Sequence, residues 1–249
     1  MRKGLIAGNW KMFGRRTDLA EISALNSAVG AAGTALDLLI CPAAAYVAMA
    51  AWSAKDTKIQ IGAQDCSAVA GDSARTGEVS AAMLADVGAA YVIVGHSERR
   101  AQHGETNATV RAKAEAALAA GLVPIICVGE TQAERDGGKA AEVVARQVAE
   151  STPDGAGVVI AYEPVWAIGG STTPTMAEIV DIHGVVRAGL ERRYGAAAAP
   201  IRVLYGGSVN PKNAAEIFGC EGVDGALVGR ASLKAADFSA IILAHPAAL

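Results

Sequence analysis

The chain has 249 residues, 52% of them hydrophobic and 19% charged, with a formal net charge of −3. That composition supports a sizeable core and excludes the low-hydrophobicity, high-charge profile of a disordered chain. The mildly acidic balance, without a basic stripe, zinc-finger spacing or RNA-binding signature, argues against a nucleic-acid partner, and the apolar runs are too short to cross a membrane.

The opening residues reach the polar Asn9 too soon for a signal peptide, so a cytoplasmic protein is expected. The four cysteines, Cys41, Cys66, Cys127 and Cys220, form no paired metal-ligand motif and read as reduced thiols, Cys41 and Cys127 as small core residues. No metal site follows. Short apolar or β-branched runs at residues 4–7, 38–41, 59–63, 91–94, 124–128, 158–162, 201–205 and 226–228 read as eight strands. Helix-like, Ala- and Leu-rich segments lie between them. Ser80 is placed to cap one that Gly88 ends, and Thr131 with Glu134 fits a capping box. Thr173-Pro174 and Asn210-Pro211 each put a capping residue before a proline at the first helical position.

Strands that are apolar on both faces and separated by helices belong to parallel sheets. With no linker or composition break between units, residues 1–249 are expected to form a single (β/α)8 barrel, an α/β fold of eight parallel strands inside a ring of helices. The rival, a doubly wound open sheet, usually carries a nucleotide loop after an early strand, and neither fingerprint is present.

In such a barrel the chemistry lies where strands end and loops to helices begin. Asn9 and Lys11 follow the first strand at a spacing of two, so a continuing extended chain would point both to one side and Trp10 to the other. His96 follows the fourth strand just before a helix start, whose dipole disfavours an imidazolium, so a neutral, hydrogen-bond-donating ring is expected. Glu163 ends the sixth strand and is held extended by Pro164. The following Val165, Trp166, Ala167, Ile168, Gly169 and Gly170 supply apolar cover and hinge points, which suits a general base under a lid. Glycines after the seventh and eighth strands, in Tyr205-Gly206-Gly207-Ser208 and at Gly229-Arg230, let backbone N–H groups approach an anion. That pattern also serves barrels that bind flavin mononucleotide or phosphoribosyl substrates. His103, His183 and His245 read as surface or packing residues.

Taken together, Ala7-Gly8-Asn9-Trp10-Lys11-Met12, Gly95-His96-Ser97-Glu98-Arg99-Arg100, residues 161–169 and Tyr205-Gly206-Gly207-Ser208 resemble the triosephosphate isomerase family in order and spacing, over essentially the whole chain. The resemblance implies the TIM-barrel fold and a cofactor-independent interconversion of dihydroxyacetone phosphate and D-glyceraldehyde 3-phosphate through an enediolate. It implies Glu163 as carbon base, His96 as neutral electrophile, Lys11 as stabiliser of negative charge, Asn9 as orienting residue and Glu98 in support. By the same resemblance, amides of Gly169, Ser208, Gly229 and Arg230 hold the phosphate. Residues 164–170 form the lid, with Ile168 and Leu227 as apolar jaws on the base and Trp166 as lid anchor. Arg187 with Asp224 is a stabilising ion pair. A homodimer is also implied, with the loop carrying Arg75 and Thr76 reaching the partner.

Three places depart from the family pattern: in residues 71–78 Arg75 stands where an aromatic is common, the preceding loop is slightly longer and Asp65 replaces a usual Asn; the hinge at residues 170–173 is short and lacks a Lys; and Arg230 replaces the second glycine of a pair. Two other readings stay open, an isomerase or epimerase of a longer sugar phosphate and a non-catalytic phosphate-binding barrel.

Overall fold

The computed structural model describes residues 2–31, 35–169 and 173–248. Its eight strands are β1 (Leu5–Asn9), β2 (Asp37–Cys41), β3 (Ile59–Ala63), β4 (Tyr91–Val94), β5 (Val123–Val128), β6 (Val159–Tyr162), β7 (Arg202–Tyr205) and β8 (Gly225–Val228). Every neighbouring pair is parallel, and β8 pairs with β1 to close the barrel in sequence order. All eight anticipated strands are present, with ends shifted by no more than two residues.

Alternation along the strands sorts the core into two layers. Leu5 and Ala7, Leu39 and Cys41, Ile125 and Cys127, Val159 and Ala161, Leu204 and Leu227 pack inside the barrel, whereas Ile6, Leu38, Ile40, Ile126, Ile160 and Val203 face the helices. The inward parity, extended past the strand ends, delivers Asn9, Glu163, Gly206 and Gly229 to the mouth. At β4 the same parity would deliver Gly95. The left-handed backbone of Gly95, at φ +65°, breaks the alternation and turns the next residue, His96, towards the mouth.

Several helix starts follow their local chemistry. Ser80 caps a helix over Ala81–Asp86, and Thr131 with Glu134 completes a reciprocal box before Gln132–Asp136. The helix expected from Thr173-Pro174 begins instead at Met176. There Thr175 accepts from the Glu178 amide and the Glu178 side chain accepts from the Thr175 amide, satisfying two end groups where Pro174 could satisfy none. After Asn210-Pro211 the chain makes a turn, held by the Lys212 amide donating to Asn210 Oδ1, before the helix Ala214–Phe218 starts. At the opposite end of the barrel, Arg187 Nη2 meets Asp224 Oδ2 at 2.9 Å, and Arg2 Nε meets Asp224 Oδ1 at 2.7 Å. Among the described residues, no helix is long and apolar enough to cross a membrane.

Candidate active site

A cleft of about 800 Å³ opens at the C-terminal mouth, and Asn9, Lys11, His96, Glu98, Glu163, Ile168, Gly169, Ser208, Leu227, Gly229 and Arg230 all line it. Residues spread over most of the chain thus share one cavity. Pro164, Val165, Trp166 and Ala167 lie off it, and Gly170 falls outside the described residues, as do Ser171 and Thr172 of the hinge.

Glu163 is 2% exposed. Its Oε1 sits 2.9 Å from His96 Nε2, and its Oε2 accepts from the Ser97 amide at 2.8 Å. Burial pushes the Glu163 carboxyl up, but His96, the Ser97 amide and the charge of Lys11 outweigh it and hold the group below the usual carboxylate value. The carboxylate is therefore ionised at neutral pH.

His96 is the N-cap of the helix Ser97–His103, which we label α1. Burial opposes charge on its ring, while Glu163 favours it by charge and hydrogen bond and prevails, raising the pKa. The Glu98 amide, which donates to Nδ1 at 3.2 Å, resists protonation there. A neutral ring with its proton on Nε2 satisfies both contacts, whereas the neighbouring Glu163 carboxylate pulls the ring towards the charged form, against the expectation from the helix dipole.

The extended chain does not run on to Lys11 as expected. β1 ends at Asn9, and Lys11 adopts φ +52°, a left-handed backbone unusual outside glycine. Asn9 Oδ1 accepts the Lys11 amide at 2.9 Å, while Gln64 Nε2 donates to the carbonyls of Lys11 and Cys41 at 2.9 and 2.8 Å, fastening the turn from both sides. Trp10 is buried among the outer core residues and donates to Ser232 O. Lys11 Nζ then meets Glu98 Oε1 at 2.7 Å across the cleft.

Trp166 is tied down from two directions. Its indole N–H donates to Glu130 Oε1 at 2.7 Å, where the Tyr162 hydroxyl also donates, and the Arg135 guanidinium lies 4.0 Å over the ring. Arg135 in turn pairs with Glu178. Glu130 is fully buried, with Oε2 unpartnered. Glu130 and Gln64 were missed in the sequence, although each is a polar residue just beyond a strand end, the same signal that marks Asn9 and Glu163.

The glycines after β7 answer to packing. A Cβ on Gly206 would lie 2.9 Å from Glu163 Cγ, and one on Gly207 would lie 2.2 Å from the Tyr205 hydroxyl, so close packing demands both. Gly169 is left-handed at φ +72°. The Arg230 side chain turns aside, its guanidinium 5.8 Å from the Phe13 ring centroid. Arg230→Ala is expected to change KM by less than about threefold, since loss of so exposed a contact is worth little; a tenfold rise in steady-state KM would place the guanidinium on the substrate.

Arg75 lies outside this cleft, in a second one of about 780 Å³ that shares Asn9, Lys11, His96 and Glu98 as its wall. Arg75 pairs with Glu78, which also accepts from Ser67. Thr76 is exposed. Asp65 is absorbed by Lys113 Nζ at 2.6 Å and Arg99 Nε at 2.9 Å. His103 is exposed, His183 is buried against Gly222 O, and His245 lies over Phe218.

A closed parallel barrel with a buried carboxylate, an imidazole and an ammonium group at its C-terminal mouth defines a class, the (β/α)8-barrel enzymes that move protons on small substrates. The family model described as triosephosphate isomerase matches residues 4–245. Triosephosphate isomerases of Afipia carboxidovorans and of a Ruegeria species are 57% and 56% identical, over 97% and 98% of both chains. A crystal structure of triosephosphate isomerase from Bartonella henselae superposes with a TM-score of 0.90 at 42% identity, covering 97% of this chain and 98% of that one. The chain belongs to the triosephosphate isomerase family, and so to the isomerases.

Proposed function

We propose that the cleft interconverts dihydroxyacetone phosphate and D-glyceraldehyde 3-phosphate through an enediolate. The observation that carries this reading is the pairing of the buried Glu163 carboxylate with His96 Nε2 in the cleft that also holds Lys11. Both Glu163 oxygens are occupied, by His96 and by the Ser97 amide, so the carboxylate must swing off these donors to reach a substrate carbon. That movement frees the Nε2 proton of His96 for the substrate's carbonyl and hydroxyl oxygens. Glu163 removes a proton from the carbon beside the carbonyl and the electron pair passes onto the carbonyl oxygen; a proton then moves from the hydroxyl oxygen to that oxygen by way of His96, and Glu163 returns its proton to the neighbouring carbon. Lys11 supplies a positive charge, held at the cleft by the turn at Asn9, to the enediolate. Asn9 holds the turn that aims Lys11, and Glu98 steadies its ammonium group between turnovers.

Amides of Gly169, Ser208, Gly229 and Arg230 grip the phosphate, and residues 164–170 close over it with Ile168 and Leu227 against the base. An enediolate open to water can expel phosphate, so closure protects the intermediate while strengthening the electrostatics. A coupled assay with glyceraldehyde 3-phosphate and with a tetrulose phosphate tests the reading. Turnover of the triose phosphate at the higher kcat/KM is expected, and faster turnover of the longer sugar would replace it.

The reading extends to a homodimer. Met12 is 94% exposed and Phe13 48% exposed beside the catalytic Lys11, large apolar side chains left open next to the cleft. The loop with Arg75 and Thr76 borders the second cleft and is placed to exchange with that of a partner. Sedimentation should give twice the chain mass at micromolar concentration; a monomer there removes the proposal.

A further inference from the structure

We propose that Arg100 is a positioning residue for the proton-transfer pair, clamping the turn that carries His96 and Ser97 to the strand beside Glu163. The inference rests on the isomerase reading above and adds a residue to which that reading gives no role.

Arg100 lies in α1, part-buried behind the cleft. Its Nε donates to Gly95 O at 2.9 Å, Nη1 to Asn107 Oδ1 at 2.7 Å, and Nη2 to Cys127 O and Ser151 Oγ, both at 3.1 Å. All of these acceptors are neutral, and no carboxylate lies within ion-pair distance of Arg100 among the described residues. Its neighbour Arg99 behaves in the ordinary way, pairing with Glu105 and Asp65. Leaving a part-buried guanidinium without a counter-ion costs free energy unless its hydrogen bonds are well made. Here two of them are made to backbone at the ends of adjoining strands and two to the side chains of Asn107 and Ser151.

Those two ends matter to the chemistry. Gly95 O belongs to the left-handed turn that swings His96 into the cleft, and a Cβ at Gly95 would lie 2.6 Å from Val110, so the turn is already packed tight. The next two residues supply both donors on Glu163, the His96 ring and the Ser97 amide. On the other side, Cys127 pairs with Ala161, two residues before Glu163. One planar fork therefore fixes donor and carboxylate relative to each other, a geometry that a lysine's single ammonium cannot copy.

The charge of Arg100 also faces the base. The charged or titratable groups around the guanidinium are Glu163, Glu105 and the Cys127 thiol; around Glu163 they are His96, Lys11, Cys127 and Arg100 itself. The surface carboxylate of Glu150 is reached only through Asn107, whose Nδ2 donates to it at 2.7 Å. Glu163 is thus among the few anions that feel this cation.

The test is steady-state kinetics across pH, with circular dichroism, on the wild type, R100K, R100Q and E163D. R100K keeps the cation and loses the fork. Its kcat should fall by about tenfold or more, the cost of a slight misplacement of reacting groups, with KM within about twofold because the phosphate amides are untouched, and with the acidic limb of kcat/KM unmoved. R100Q should show the same fall in kcat and an acidic limb displaced to higher pH, since Glu163 loses a neighbouring positive charge. A purely structural arginine would lower yield or Tm and leave kcat and the limb of the folded protein alone. R100K with kcat within twofold of wild type overturns the inference, and it decides the matter alone if R100Q does not fold. If E163D loses turnover while R100K keeps it, the isomerase reading stands and the Arg100 inference falls; an active E163D would sink the reading itself.

Discussion

Shortening Glu163 to aspartate should lower kcat for glyceraldehyde 3-phosphate by about 10²- to 10³-fold while the protein still folds. The magnitude follows from geometry, because a displacement of about 1 Å at reacting groups costs on the order of 10² in rate. Glu163→Asp keeps the charge and withdraws it by one methylene, from a site that is 2% exposed and offers the side chain few alternative positions. The backbone of residue 163 cannot advance to compensate. Its amide donates to Val128 O at 2.7 Å, and Pro164 follows. KM should move by less than about threefold, since in the proposed function binding rests on the loops after β6, β7 and β8 and uniform binding is left intact. Stability should fall by about 1–3 kcal/mol, because the Ser97 amide and His96 Nε2 lose their acceptor in a dry site. Equal kcat in the two proteins would remove Glu163 from the proton path, and a large rise in KM with unchanged kcat would make it a binding group.

The barrel could be read from the chain because its signal is local. Each strand is a short run apolar on both faces, each is followed by a helical segment, and eight such units at this length fit a closed parallel sheet. Asn9 and Glu163 were legible for a related reason: inward parity continues past the strand, so a polar residue there must face the mouth. Other features depend on contacts between distant segments. Nothing near Gly95 announces that its left-handed turn, rather than strand parity, delivers His96. Lys11 reached the cleft by a left-handed turn that needs Gln64, fifty-three residues away, to hold it. Thr175 lost out in the sequence to the more conspicuous Thr173-Pro174, because a capping box depends on a side chain three residues on while a Thr-Pro pair is visible at once.

Gly129 shows the same limit and gives the largest expected effect on stability. It follows β5, where a glycine reads as an ordinary strand end, yet a Cβ there would lie 1.7 Å from the carbonyl oxygen of Glu163 and 2.7 Å from its carbonyl carbon. The two backbones run this close because the Glu163 amide reaches back to Val128 O and the Val165 amide to Glu130 O, carrying the β5–β6 pairing beyond both strands. Gln147 locks the arrangement from outside, its Oε1 accepting the Gly129 amide at 2.7 Å and its Nε2 donating to the Gly129 carbonyl at 3.1 Å. Gly129→Ala therefore cannot be absorbed by a side-chain rotation. The strand ends must part by roughly 1 Å or more, breaking these bonds and moving Glu163. The expected loss is more than about 3 kcal/mol, at the diagnostic end of single substitutions, or a fall in Tm of about 6–12 °C for a chain of this size. In the fraction that folds, kcat should drop by about 10²-fold through the same displacement. Thermal unfolding and kcat per folded molecule measure the two effects separately. A Gly129→Ala protein with wild-type Tm and kcat would mean that the β5–β6 ends can separate freely, and that Glu163 is aimed by something other than its backbone.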